Sequence, residues 1–395
     1  MSSSSQSLPK PRVVQSVSGA FHHFDLARQL HALGHLERIY SSFNWGRLKR
    51  EGLPRQLVST FPLLQPALML LGRFGVDIHS PFFSRGIFWN QLLLDRWVAG
   101  RIPPCDVVVA LSGGGLNTGS LVQQRGGRYV CDRGSSHIRF QDQILSEEYK
   151  KWGVARTACN PRAIEREEAE YAQCDAITVP SEFALRSFLE MGVAAGKVHK
   201  IPYGVDLSRF SPVTNPPNDR FEVLFVGQVC FRKGIPYLLE AFKNFAHPNK
   251  RLRIVGSVAD EIRPLLERHL PDGVEILGAL PQSELPRILS SSHVLVLPSI
   301  EEGLALVQGQ ALASGCPVIA STNTGGFDLF TNGVEGFEVP IRSAEAITNR
   351  LVQLADQPEL QQQMRAAALE RVKSIGGWDE YGRQYLAFLI ELTAN

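Results

Sequence analysis

"PSIEEGLALVQGQALASGCPVIAS", residues 298–321, follows the apolar run HVLVLP (293–298) and is the stretch on which the fold is decided. Two adjacent carboxylates, Glu301 and Glu302, stand where a strand should end. Gly303 then leads into a small-residue helical pattern that Gly315 stops and Pro317 follows, as start and stop signals require. PVIAS reads as the next buried strand, so the stretch is a strand–helix–strand unit of a parallel sheet. A helix opened at Gly303 would favour an anion at its free N–H groups. Glu302 would sit at its mouth, and Gln310 about 12 Å further along at roughly 1.5 Å per residue. A ligand with a hydroxyl-bearing group at each end and a phosphate between them has that shape, as a nucleotide sugar does.

The same alternation runs outward in both directions. RVVQSVS (12–18), CDVVVAL (105–111), GRYVCD (127–132), AITVP (176–180) and VHKIP (198–202) read as strands of a first unit. FEVLFVG (221–227), RLRIVGS (251–257), GVEILG (273–278), HVLVLP, PVIAS and GFEVP (336–340) read as strands of a second. Between them SRFSPVTNPPNDR (208–220) carries three prolines and no apolar period, the composition of a linker. The expected organisation is a disordered tail over 1–12, a Rossmann-like domain over 13–207, the linker, and a second such domain over 221–376. A closing amphipathic helix over 377–395 completes it. Two doubly wound α/β domains place a ligand outside the carboxyl ends of the strands, in the cleft between them.

Composition narrows the class. The chain has 395 residues, 44% hydrophobic content and a net charge of +2 from 41 basic and 39 acidic residues. That balance gives no reason to expect nucleic acid as a partner. The six cysteines are scattered, without Cys-x-x-Cys pairs, and imply neither disulfides nor a structural metal. The opening MSSSSQSLPKPR lacks the apolar core of a secretory signal. No run reaches the roughly 18–20 apolar residues of a membrane span. LVSTFPLLQPALMLLG (57–72) follows Arg47, Lys49, Arg50 and Arg55, so residues 47–73 are a candidate membrane-surface segment, with packing inside the domain as the blander alternative. Trp45, Trp89 and Trp97 lie in the same region, where acceptor contacts or packing are both open readings.

Two further loops bear on chemistry. Ser18-Gly19 closes the first strand before a helix beginning near Phe24, with His22 and His23 beside it. FVGQVCFRKG (225–234) ends a strand at Gly227, then supplies Arg232 and Lys233, two adjacent cations suited to phosphate oxygens. The acidic run Glu165, Glu167, Glu168 and Glu170 reads as a solvated helix face.

Pro298-Ser299, Glu302-Gly303, Gln310-Ala311, Gly315-x-Pro317-Val318-Ile319 and Gly325-Gly326 resemble the Glu-x7-Glu donor signature of family 4 glycosyltransferases, retaining enzymes of the GT-B fold. Gly227 through Lys233-Gly234, Pro180-Ser181-Glu182 and Ile201-Pro202-Tyr203-Gly204-Val205-Asp206 agree with it. The resemblance implies that Glu302 bonds the donor sugar, Lys233 binds the diphosphate, and Gly303, Leu304, Ala305 and Leu306 hold sugar and diphosphate. Gly19 would be the flexible glycine near the phosphates, and Gly227, Gln228, Arg232 and Gln310 would complete the donor site. In the loop CDRGSSH, Asp132 and His137 are the candidates for a polar group close to the reacting sugar, with a structural role for Asp132 equally open.

Two departures stand out. Gln310 replaces the acid that in the family binds the ribose hydroxyls, and Gln228 replaces an arginine common after the Val-Gly turn. The first implies a donor with a different ribose environment, such as a deoxyribose nucleotide. No Asp-x-Asp occurs, so the expectation is a metal-independent retaining transferase without a cofactor. Its departing phosphate oxygen would deprotonate the acceptor, a sugar or lipid-linked hydroxyl. Polysaccharide or glycoconjugate assembly at the cytoplasmic side of a membrane is the setting implied. A GT-B enzyme using another glycosyl donor is a second reading, and a donor-binding or scaffolding protein without catalysis is a third.

Overall fold

The computed structural model describes residues 10–73 and 80–394. The expected tail falls almost wholly outside the described residues. The first sheet has seven strands: β1 (Val13–Val17), β2 (Leu36–Ser41), β3 (Val58–Thr60), β4 (Val107–Leu111), β5 (Arg128–Asp132), β6 (Ala176–Val179) and β7 (Val198–Lys200). Its order is β3-β2-β1-β4-β5-β6-β7, every neighbouring pair parallel. The second has six: β8 (Phe221–Val226), β9 (Lys250–Val255), β10 (Val274–Gly278), β11 (Val294–Leu297), β12 (Val318–Ser321) and β13 (Gly336–Val339). Its order is β10-β9-β8-β11-β12-β13, again all parallel. Each sheet therefore reverses its winding once, between β1 and β4 and between β8 and β11, which is where such folds open a binding crevice. This is the GT-B architecture of two Rossmann-like domains.

The central strands are buried throughout because helices cover both faces of each sheet, which is why VVVAL and VLVL read as continuous apolar runs. Two strands escaped the pattern. β2 (LERIYS) carries Glu37 and Arg38 in its first half, and β3 has only three residues at the sheet edge. The acidic run is also corrected. On the helix Pro161–Gln173, Glu165 is exposed, but Glu167 and Glu170 are buried. Glu170 accepts from the N–H groups of Gly113, Gly115 and Leu116 at 2.7, 2.9 and 3.1 Å.

The closing helix Trp378–Ala394 packs against the helix His23–Ala32 of the first domain. Tyr385 on it reaches Thr178 of β6 at 3.0 Å, and Trp378 and Tyr381 pack around Tyr203. Other contacts join the domains. Glu148 accepts from Trp152, from Tyr237 at 2.8 Å and from Arg342 at 2.7 Å, and Lys200 pairs with Asp328 at 2.8 Å. All six cysteines are free, four of them buried. Among the described residues, no helix is long and apolar enough to cross a membrane.

Candidate active site

The site grows from the carboxyl ends of β8 and β11. After β8 the chain makes a short 3-10 turn, Phe231–Lys233, ended by Gly234 at φ 69°. A Cβ at Gly234 would stand 1.9 Å from the carbonyl oxygen of Pro298, so only glycine lets these two loops touch. That contact sets Arg232 and Lys233 against the two acids that follow β11. Lys233 pairs with Glu302. Arg232 Nη1 donates to the carbonyl oxygen of Glu301 at 3.1 Å and lies 3.6 Å from Glu302 Oε2. Burial works against ionising Glu302, but Lys233 and then Arg232 outweigh it and lower its pKa.

Glu301, which carries no assigned role in the sequence pattern, is fully buried and bonds across to the first domain. Its Oε1 accepts from the hydroxyls of Ser135 and Ser136 at 2.6 and 2.7 Å and from Ser136 N at 3.2 Å, and its Oε2 from Gln141 at 2.8 Å. Desolvation opposes its charge, yet Arg232 and these donors bring the carboxyl down to about 2. The adjacent pair Glu301-Glu302 was the available signal, since one of two neighbouring acids after a strand must turn away from the other.

The helix of the opening stretch begins at Leu306, not Gly303, and runs to Ala313. Residues 303–305 form a non-helical connection because Gly303 is pressed onto the first domain. A Cβ there would lie 2.0 Å from the carbonyl oxygen of Gly134, and Ser181 Oγ donates to Gly303 O at 2.5 Å. Leu304 and Ala305 are buried, and Ala305 N already bonds Thr324 O at 3.3 Å. Leu306 is exposed. Gln310 is half-buried only four residues into the helix, about 6 Å along its axis. The 12 Å separation expected from a helix opened at Gly303 therefore does not apply. Gly227 and the half-buried Gln228 join β8 to the Arg232-Lys233 turn.

In the first domain, Gly19 follows β1, and its carbonyl accepts from Ser41 Oγ at 2.6 Å. Asp132 ends β5 and is buried. Its Oδ2 lies 2.6 Å from His22 Nε2 and 3.2 Å from His23 Nε2, and its Oδ1 accepts from Thr178 at 2.8 Å. Against the cost of burial, His22 leads the groups that lower the Asp132 pKa. Burial drives His23 down to about 3, so its ring is neutral. Donor atoms of His22, His23 and Asp132 all lie within 4.8 Å of one another. The 2.6 Å contact between His22 and Asp132 has the length of a hydrogen bond.

His137 is placed elsewhere. Its ring packs against Tyr171 and Phe188, and its Nδ1 accepts from Arg139 N at 3.2 Å, capping its own helix. A recess of about 450 Å³ lined by Lys10, Arg12, Asp106, Arg125 and Arg128 lies at the opposite, amino-terminal end of the first sheet.

Two family models match the chain: Glycosyltransferase Family 4 over residues 19–209, and Glycosyl transferases group 1 over 208–371. A protein of Escherichia coli (strain K12) named for colanic acid biosynthesis, the glycosyltransferase WcaL, is 29% identical over 174 residues, 41% of this chain and 43% of its own. The UDP-Gal:alpha-D-GlcNAc-diphosphoundecaprenol alpha-1,3-galactosyltransferase of Escherichia coli is 29% identical over 185 residues, 42% and 47% of the two chains. The chain thus spans about half the length of the curated relatives it matches. Among solved structures, sucrose-phosphate synthase of Thermosynechococcus elongatus superposes with a TM-score of 0.73 at 21% identity, covering 97% of this chain and 99% of its own. With the first model on one Rossmann-like domain and the second on the other, the chain belongs to the family 4-type glycosyltransferases.

Proposed function

We propose that the protein transfers a glycosyl group from a nucleoside-diphosphate sugar to an acceptor hydroxyl, with retention and without a metal, in polysaccharide or glycoconjugate assembly. The observation that carries this reading is the Lys233–Glu302 pair, with Arg232 beside it, at the β8/β11 reversal. A diphosphate entering there takes over the two cations, and Glu302, released from Lys233, turns its carboxylate to the sugar hydroxyls. Fixed cations then stabilise the charge that develops on the leaving diphosphate.

A thermal-shift panel of UDP, GDP, ADP, dTDP and their sugars tests the binding step, because a ligand of the native state alone raises its stability. One selective diphosphate with matching donor turnover, abolished by Glu302→Ala, is the expected result. No shift in a folded protein would sink the reading and favour a scaffold. Gln310 favours a deoxyribose donor, and a clear preference for a ribonucleotide would reject that part. The anomeric configuration of the product, read by NMR, tests retention.

The acceptor side of the proposal is a lipid-linked hydroxyl met at a membrane surface. Leu63, Met69, Leu70, Phe82, Ile87 and Trp89 are exposed on the region that also carries Arg47, Lys49, Arg50 and Arg55. Trp97 instead stacks on Phe61, and Arg55 lies over Trp45. Anionic vesicles should pellet the protein at low salt and neutral vesicles should not. Equal recovery in both supernatants would end the membrane assignment.

A further inference from the structure

Resting on the transferase reading, we infer that Gln141 and Glu301 are positioning residues through which the first domain frees Arg232 for the donor's diphosphate. Arg232 stands beside two acids, and an arginine held tightly by a carboxylate is a poor ligand for phosphate. The structure shows it held loosely. Its Nη1 donates to the backbone carbonyl oxygen of Glu301 at 3.1 Å, but lies 3.4 Å from Glu301 Oε2 and 3.6 Å from Glu302 Oε2. Both carboxylate contacts are longer than the roughly 2.7–2.9 Å usual for a charge-assisted bond. The Arg232 side chain also keeps 29% of its surface exposed, whereas that of Glu301 keeps none.

What holds Glu301 back from Arg232 comes from the other domain. Ser135 and Ser136 donate to its Oε1 at 2.6 and 2.7 Å, and Gln141 Nε2 donates at 2.8 Å to Oε2, the same oxygen that Arg232 approaches. The amide has a fixed sense. Arg133 Nη2 donates to Gln141 Oε1 at 2.8 Å, which leaves Nε2 as the end that meets Glu301. Arg133 is fastened in turn by Glu167 at 2.9 Å and by the carbonyl oxygen of Ser136 at 2.9 Å. A line of side chains therefore runs from Glu167 through Arg133, Gln141 and Glu301 to Arg232 at the diphosphate crevice. Burial opposes the charge on Glu301, yet Arg232 and these donors hold the carboxyl at about 2, so a carboxylate competes for Arg232 at neutral pH.

The approach of the two domains sets whether Gln141 reaches Glu301. On the helix Ile138–Lys151, Gln141, Ile144 and Glu148 share one face at i, i+3 and i+7. Arg342 of the second domain donates to the carbonyl oxygen of Ile144 at 3.1 Å and to Glu148 at 2.7 Å, and Tyr237 donates to Glu148 at 2.8 Å. The face that carries Gln141 is thus the face docked on the second domain. With the Gln141 donor removed, Arg232 is the remaining partner of Glu301 Oε2 among the described residues. The pair tightens, and the diphosphate loses a cation.

The test is a mutant cycle in the full chain, read as the dissociation constant of the tightest binder among UDP, GDP, ADP and dTDP, with melting temperature followed in parallel. Gln141→Met keeps the side-chain length and removes the donor, so affinity should fall by about tenfold although Gln141 belongs to the first domain. Adding Glu301→Gln removes the competitor, and affinity should return to within about twofold of the unmodified chain while the melting temperature stays low. Glu301→Gln alone should bind at least as tightly as the unmodified chain. In an Arg232→Ala background, Gln141→Met should have no further effect on affinity, since its route is gone. Recovery in the double variant separates this coupling from a merely structural latch, for which each lost contact weakens binding again. Unchanged affinity in Gln141→Met, or no recovery on adding Glu301→Gln, would overturn the inference and leave the transferase reading standing. Failure of all four diphosphates to bind the unmodified chain would overturn the transferase reading, and the coupling with it.

Discussion

The two sheets reverse their winding in the same way, yet the loops at the two reversals are used in opposite senses. In the first domain, β4 ends in Ser112-Gly113-Gly114-Gly115 before a helix, a place where backbone N–H groups ordinarily meet an anion. Here the chain fills that place with its own carboxyl groups, one of which, Glu170, is pushed up to about 8 by burial. Glu170 accepts from three of those N–H groups, and Asp95 accepts from Asn117 N and Thr118 N at 2.9 Å each while pairing with Arg166. In the second domain, the loop after β8 presents the cations Arg232 and Lys233, and the loop after β11 presents their acidic partner Glu302, which in the proposed function exchanges for a ligand. One reversal is filled by distant carboxyl groups of its own domain, whereas the other, in the proposed function, is balanced by a pair that a ligand can exchange. Topology marks both places, and their side-chain charges differ.

Substitutions can break that contrast. The largest effect is expected from Lys233→Ala, which removes a cation from the exchangeable pair. Transfer should fall by about 1,000-fold, roughly 4 kcal/mol, with diphosphate binding weakened and the fold intact by circular dichroism. An unchanged rate would mean that the β8/β11 crevice is as inert as its counterpart. Glu170→Ala should act on the other side of the comparison. Three backbone N–H groups, two of them in buried hydrogen bonds, lose their acceptor and Arg166 loses a partner, for about 3 kcal/mol of stability in denaturant titrations. Nucleotide affinity of the folded fraction should stay the same, and if it drops, the first reversal belongs to the site after all.

Acid titration probes the latch between the domains. Glu301 sits at about 2 in the fold, below its ordinary 4.5, so its contribution is full above pH 4.5 and lost as pH falls towards 2. That amounts to about 3 kcal/mol at 1.36 kcal/mol per unit. His23, held at about 3, has the same sign and begins to lose its contribution as pH drops below 6.5. Glu301→Gln should flatten the lower part of the acid-unfolding curve, and an unaltered curve would show that the latch does not hold the domains. The smallest effect is expected from Gln310→Glu, a change of about 1 kcal/mol in nucleotide preference, towards ribose, read as a shift in the thermal-shift ranking.

The sequence could be read where local pattern and burial coincide. Eleven of the thirteen strands lie in apolar runs, and the cations at Arg232 and Lys233 are adjacent in a loop that glycines bracket. It failed where a residue's environment comes from distant chain. Glu167 and Glu170 look like a solvated face until the glycine loop 55 residues upstream is folded onto Glu170. His137 looks free for chemistry until Tyr171 and Phe188 close on its ring. Gly303 looks like a helix start until Gly134 presses against it.

By itself, then, the amino-acid order determined the two doubly wound domains, two adjacent cations after one strand and two adjacent acids after another. Periodicity and glycine placement act over a few residues and need no partner to be recognised. Which acid faces the cations, which one latches the domains, and that His22 meets Asp132 across 110 positions were decided only by the tertiary structure. Desolvation and charge pairing depend on what surrounds a side chain in space, and the surroundings here come from the other domain or the far end of the sheet.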